Sequence, residues 1–312
     1  MRVVGVDENG LGPILGPLVA TAVTLEVPDS TARSRPRYDA ARWRRLGRRL
    51  GVTDSKETSA FGRMGHTEAI ALALLEHLYG HRPADVDELL GMLSLDGPGE
   101  LRAPCPGGNA PRQCFSETVR LPVWEGDADE GRRVVGALLE RGVLPVRARC
   151  ALACPGVLNR ERARGHSKVV VDLGLFERLL LDARTGADEP PLSLCGMVAG
   201  IRDYPRYAHY LTELRLRRRD RWRCVYDVER VGEVRFEVDA DARHMPVAFA
   251  SMLGKYVREV CMERLNRFYL HRRDDLSRAS GYRDPVTRRL VDGTRPIRRR
   301  LRIADDCFQR RA

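Results

Sequence analysis

The stretch Val4–Val19, VGVDENGLGPILGPLV, decides how the rest of the sequence is read. Residues Arg2–Val6 ahead of the first acid are largely β-branched and apolar, the composition of a buried strand. Asp7 and Glu8 stand where that strand ends, and Gly10, Gly12 and Pro13 break the run. Leu18–Val27 (LVATAVTLEV) is strand-like again, so the chain opens as strand, glycine-rich turn, strand. A strand end is rigid, and an acidic pair there can hold a hard divalent cation with little reorganisation. A solvated acidic turn is the plainer alternative. The glycines permit close approach of backbone to a ligand, and the N–H groups beside them can meet phosphate or a ribose hydroxyl.

A second constellation lies far downstream, Asp241-Ala-Arg-His-Met-Pro-Val-Ala-Phe-Ala-Ser-Met-Leu-Gly-Lys-Tyr-Val-Arg-Glu259. Pro246 suits a first helical turn, which puts Asp241 just ahead of a long helix running to about Phe268. Ala248, Ala250, Ser251 and Gly254 are small enough to let this helix lie close against a sheet. Lys255 and Arg258 fall off the apolar face, where they can meet phosphates.

Between these segments, helical spacing predicts helices over Tyr38–Leu50, Thr58–Tyr79, Asp127–Arg141, Lys168–Ala183 and Tyr204–Arg219, with another near Asp284–Val291. Strands are expected at Val143–Leu152 and Leu192–Val198. Cys224–Glu229 and Glu233–Val238 are spaced as a hairpin around Gly232. The pattern loosens from Pro83 to Glu125, and Gly97–Pro111 (GPGELRAPCPGGNAP) reads as a loop. Early strands followed by packed helices make an α/β or α+β layout in one domain over residues 1–312.

Composition narrows the partners. The formal net charge of +11 favours a polyanion. Of the 54 Lys and Arg residues only Lys56, Lys168 and Lys255 are lysines, a skew toward arginine that reads as coding bias. No apolar run approaches the ~20 residues needed to span a membrane, and Val3–Val6 is too short for a secretory core, so a cytoplasmic location is expected. The eight cysteines form no C-x-x-C pair and read as scattered reduced thiols. Cys105, Cys114, Cys150 and Cys154 are the set that a zinc ion would gather, at spacings that match no familiar module.

In order along the chain, four segments resemble the ribonuclease HII family. Val4–Val19 is similar to its Asp-Glu-x-Gly-Arg-Gly-Pro opening, and Asp54-Ser55-Lys56 to its Asp-Ser-Lys segment. Asp241–Glu259 is similar to its Asp-Ala helix, and Gly281-Tyr282 to its later Gly-Tyr. The resemblance implies a ribonuclease H-like α/β fold, a central mixed sheet flanked by helices, with a helical C-terminal region. Residues 83–165 then form an insertion atypical of the family, and residues 269–312 a basic C-terminal extension.

It further implies a two-metal endonuclease, using Mg2+ or Mn2+, that cuts RNA in an RNA–DNA hybrid or a ribonucleotide-containing duplex. Asp7, Glu8 and Asp241 would be the catalytic metal ligands. Gly10, Leu11, Gly12, Lys56, Lys255 and Tyr282 would contact the substrate, with the glycine turn at the ribose 2′-OH. Two departures stand out. Leu11 replaces the arginine between the glycines, and the third carboxylate of the family falls at Cys195-Gly196, where there is no acid. Asp284 is the expected substitute, with Asp172 and Asp203 as the other nearby acids. The alternative is a catalytically degenerate nucleic-acid-binding protein that keeps the fold.

Overall fold

The computed structural model describes residues 1–28, 38–53, 61–105, 111–186, 188–201, 203–211 and 213–311. Asp54-Ser55-Lys56, and with it the substrate contact expected of Lys56, lies outside the described residues. Among the described residues seven strands form one mixed sheet: β1 (Arg2–Asn9), β2 (Leu18–Glu26), β3 (Leu144–Ala153), β4 (Leu192–Gly196), β5 (Leu214–Arg219), β6 (Arg223–Val228) and β7 (Gly232–Glu237). Their order is β3-β2-β1-β4-β7-β6-β5. β1, β4 and β7 run parallel at the centre, while β2 and β3 on one flank and β6 and β5 on the other are antiparallel.

Helices cover both faces. On one side lie α1 (Ala40–Arg49), α2 (Gly65–Tyr79), α3 (Val86–Leu93), α5 (Ala128–Leu139) and the long α9 (Met245–Leu270), sharing a core with Val3, Val19 and Val23. On the other, α7 (Lys168–Arg184) buries Leu173, Phe176, Leu179 and Leu180 against Val4, Val6, Leu18 and Cys195. Alternate residues of β1 therefore feed opposite cores, as a strand covered on both faces requires. The helix α9 meets β1 at backbone distance: a Cβ on Gly5 would overlap the Pro246 carbonyl, so glycine alone fits there. A Cβ on Gly254 would likewise crowd Thr21 of β2 and Asn9 of β1, and Ala248, Ala250 and Ser251 are buried, so the small residues read from the sequence pack against the sheet.

Shorter helices complete the chain: α4 (Pro98–Arg102), α6 (Pro155–Ala163), α8 (Ala240–Arg243), α10 (Pro285–Gly293), α11 (Arg295–Arg300) and α12 (Asp305–Phe308). The last three enclose a third core with Leu15 and the second half of α9, so the C-terminal region is packed into the domain. Among the described residues no helix is long and apolar enough to cross a membrane.

Three sequence expectations need correction. Tyr204–Arg219 is a short 3-10 turn (Tyr204–Tyr207) followed by strand β5, because pairing with β6 overrides the helical propensity of its arginines and leucines. The segment read as loosely patterned holds α3, whose Asp85 cap accepts from the backbone N–H groups of Asp87 and Glu88. The expected loop over Gly97–Pro111 begins as α4, with Pro98 in its first turn. Of the cysteines, Cys105, Cys114 and Cys154 line one cavity of about 610 Å³ together with Cys261 and Cys307, whereas Cys150 sits apart in the β3 core. All eight are free thiols.

Candidate active site

The carboxyl ends of the three parallel strands come side by side. Val6 of β1 stands opposite Cys195 of β4, which places Asp7 beside Gly196, and Gly196 stands opposite Glu237 of β7. The chain leaving β7 turns at once into α8, carrying Asp241 to the same rim. Asp7, Glu8 and Asp241 are all half-buried. Burial, then the charges of Glu8 and Asp241, push the Asp7 carboxyl well above its usual range, against hydrogen bonds from Ser251 and the Glu8 backbone. The three acids are thus near enough to repel one another, although 233 residues separate Glu8 from Asp241. Among the described residues no three Asp, Glu, His or Cys side chains stand close enough to grip one cation.

Gly196 falls where the sequence comparison left the third acid missing. A Cβ built there would lie 2.5 Å from Asp7 Oδ1 and 3.6 Å from Glu8 Oε2. The Asp7 carboxylate leans into the space that the glycine leaves open.

The rim below Asp241 is braced by a buried pair, His244 Nε2 to Glu237 Oε2 at 3.0 Å, both under a tenth exposed. Burial raises the Glu237 pKa, but the His244 contact and the charges of Arg235 and Arg223 together hold it below the usual carboxylate value.

Beyond β1 the glycine turn is held from three sides. Gly10 has φ +96°, and a side chain there would crowd the Pro17 carbonyl and Arg258. The Gly281 carbonyl accepts from the N–H groups of Ile14 and Leu15 at 2.8 and 3.2 Å. Arg310, near the C-terminal end, donates from Nε and Nη2 to the Gly16 carbonyl at 3.0 and 2.7 Å, and from Nη1 to that of Gly10. Burial and the neighbouring Arg258 charge pull Arg310 down to about 9, so it stays charged at neutral pH.

Tyr282, 43% exposed, lies over the turn, with its ring edge 3.9 Å from where a Gly12 Cβ would stand. Lys255 Nζ and the Arg258 guanidinium sit 5.8 and 5.1 Å from the centre of the same ring. Gly10, Leu11, Gly12, Lys255 and Tyr282 thus form one surface next to the acids.

Two expectations change at this point. Arg258 is fully buried, bonded to Glu259 and to the Ser280 carbonyl, and so braces the turn from within where the sequence suggested a phosphate contact. Asp284 is engaged elsewhere: it caps α10 by accepting from the Thr287 N–H at 2.8 Å and hydroxyl at 3.0 Å, and from Ser280 Oγ at 2.7 Å. Those bonds overcome its partial burial and hold its pKa below the usual value. Asp203 is paired with Arg219 at 3.4 Å. Asp172 is fully buried on α7, and neither of its oxygens has a hydrogen-bond partner. Arg310 and Ser251 escaped the sequence reading. An arginine among so many gives no signal, and a serine in a helix reads as packing.

The sheet order, with helices on both faces and the acids at the ends of the central parallel strands, defines a ribonuclease H-like fold. Among solved structures the chain is similar to the ribonuclease HII of the PCNA:RNase HII complex from Archaeoglobus fulgidus, at TM-score 0.50 and 19% identity, covering 100% of this chain and 95% of that one. It is also similar to ribonuclease H2 from Pyrococcus horikoshii OT3 (TM-score 0.49, 18% identity, covering 99% and 92%). A third is Bst-RNase HIII in complex with Mn2+ (TM-score 0.47, 18% identity, covering 99% and 66%). The fold is that of the type 2 ribonucleases H. No protein-family model and no curated protein matches the sequence.

Proposed function

We propose that this chain is an endonuclease of the ribonuclease H type, which hydrolyses the RNA strand of RNA–DNA hybrids or ribonucleotide-containing duplexes with the help of divalent cations. The observation that carries this reading is the meeting of Asp7, Glu8 and Asp241 at one sheet end, beside a glycine turn roofed by Tyr282. The donors fit a hard cation: all are carboxylate oxygens, and a bound cation would offset both the burial and the repulsion that lift the Asp7 pKa. When bound, Mg2+ or Mn2+ supplies Lewis-acid charge for the attacking water and the leaving oxygen.

The chain's own residues do the rest. Asp7 and Glu8 at the end of β1, with Asp241 from α8 just after β7, would hold the ions. The turn at Gly10, Leu11 and Gly12 presents its backbone to the ribose 2′-OH, the group that tells RNA from DNA. Tyr282 stacks on the sugar, and Lys255 places a positive charge for the adjacent phosphate. Gly196 supports a second reading, a protein that binds hybrids without cutting them, because one family carboxylate is absent from its strand. Incubation of a labelled hybrid with Mg2+ or Mn2+ separates the two. Cleavage of the RNA strand, with an all-DNA duplex left intact, is expected, and binding without cleavage in either ion would favour the second reading.

A further inference from the structure

We infer that Trp222 is a stacking platform for an unpaired nucleotide flanking the hybrid, on the side of Asp241 away from the glycine turn. The inference rests on the proposed action on nucleic acid. It begins with the turn between β5 and β6. The Asp220 N–H donates to the Arg223 carbonyl at 2.9 Å, and Asp220 Oδ1 accepts from the N–H groups of Trp222 and Arg223 at 2.9 and 3.1 Å. These bonds fix Arg221 and Trp222 at the tip of the hairpin. The Trp222 carbonyl accepts from the Val238 N–H at 2.9 Å, so the tip rests on the end of β7, just ahead of Asp241. Just past Asp241, the Arg243 guanidinium comes back to 5.7 Å from the centre of the indole, and that of Arg221 lies at 4.7 Å. The indole is thus tied to the acidic rim through residues on both sides of Asp241.

Its surroundings suit nucleic acid. Trp222 is 46% exposed, whereas Trp43 is buried. Beside it, β5 exposes Arg215, Arg217, Arg218 and Arg219 to solvent. Ion pairs with Asp203, Asp220 and Asp227 offset part of this charge, but the six arginines of Arg215–Arg223 outnumber those three acids. An exposed aromatic ring among guanidinium groups is what holds a single strand: the charges follow the backbone and a base lies on the ring. A base inside a duplex is already stacked on its neighbours, so the platform takes one that has no pairing partner. In the sheet, β4 and β7 separate β1 from β6, which sets the platform about 14 Å across from Asp7, three strand spacings away. The strand at the acids and the nucleotide on Trp222 then belong to one substrate, a hybrid that continues into a single-stranded tail.

The test is binding of a fluorescently labelled hybrid to the full chain in EDTA, where metal-dependent cleavage stops. The hybrid is either blunt or carries a short single-stranded tail on one strand or the other. The wild type is expected to bind a tailed hybrid about tenfold more tightly than the blunt one. Trp222→Ala should lose that gain, Trp222→Phe should keep most of it, and all three proteins should bind the blunt hybrid alike. Thermal melting shows that each variant is folded. Indole fluorescence gives a second readout: the tailed hybrid should quench the wild type more than Trp222→Phe, which retains Trp43 and Trp124. A wild type that binds blunt and tailed hybrids equally, or a Trp222→Ala protein that keeps the gain, would overturn the inference and leave the proposed cleavage standing. A wild type that shows the gain but cuts no hybrid in Mg2+ or Mn2+ would overturn the proposed cleavage and leave the platform. A wild type that binds neither hybrid would overturn both.

Discussion

Gly196 is the position at which the account can be pressed hardest. A methyl group there would lie 2.5 Å from Asp7 Oδ1, about 1 Å inside ordinary contact, so the Asp7 carboxylate has to move. Only a side-chain end has to give way, so the cost sits at the low end of overpacking, about 1 kcal/mol. For a chain of this length, unfolding entropy converts that cost into a fall in melting temperature of about 1–2 °C. Displacing a ligand by this much should also weaken Mn2+ binding about tenfold or more. Gly196→Asp goes further, since a second carboxylate about 4 Å from Asp7 adds roughly 4 kcal/mol of repulsion at an effective dielectric of about 20. That variant should therefore melt lowest in EDTA and regain the most on adding Mn2+. Gly136→Ala is the control, because a Cβ on Gly136 in α5 meets nothing within 4 Å. The assay is thermal melting of the variants in EDTA and in Mn2+. A Gly196→Ala protein that melts with the wild type and keeps its full Mn2+ response would refute the placement of Gly196 against Asp7.

Three further outcomes follow from the same geometry. Asp284→Ala should lose about 1 kcal/mol of stability with its α10 cap while leaving Mn2+ affinity unchanged, and a loss of affinity would return Asp284 to the metal site. Glu237 is held ionised in the fold, so its contribution is present above the unfolded carboxylate pKa of about 4.3 and is lost as pH falls through its lowered folded value. Glu237→Gln should therefore melt below the wild type at neutral pH, with the gap closing in acid, and a gap independent of pH would contradict the pairing with His244. Hybrid affinity should fall with salt, with a log–log slope of roughly −3 or steeper if three or more phosphates are neutralised, and a flat titration would leave the arginines of β5 and the C-terminal helices as a solvated face.

Much of this architecture was legible because its determinants are local. Residues Arg2–Val6 are apolar and the turn after them is rich in glycine, while Pro246 and the small residues after it announce a helix that must lie close to a sheet. The β5 segment was misread because an edge strand with both faces exposed carries no apolar alternation, so its Arg and Leu residues carry only their helical propensity. The short α3 was missed because its eight residues make barely two turns. In the candidate site, Asp7 and Glu8 stood out as an acidic pair at a strand end, whereas Asp241 and the acid missing at Gly196 were marked only by the family resemblance. Asp172 left a faint mark, an acid within the apolar run VVVDLGLF, but its complete burial on α7 has no signal in the sequence. Arg310 left none, because a single arginine that closes a turn 294 residues upstream has no local pattern.

The most direct measurement is cleavage of a 5′-labelled RNA strand annealed to DNA, by the wild type and by Asp7→Asn, in Mn2+, in Mg2+ and in EDTA. The wild type is expected to cut the hybrid with a divalent cation and not in EDTA. Asp7→Asn should be slower by about a hundredfold or more while still binding the duplex. A wild type that binds the hybrid but cuts it in neither ion, or an Asp7→Asn variant that cuts at the wild-type rate, would contradict it.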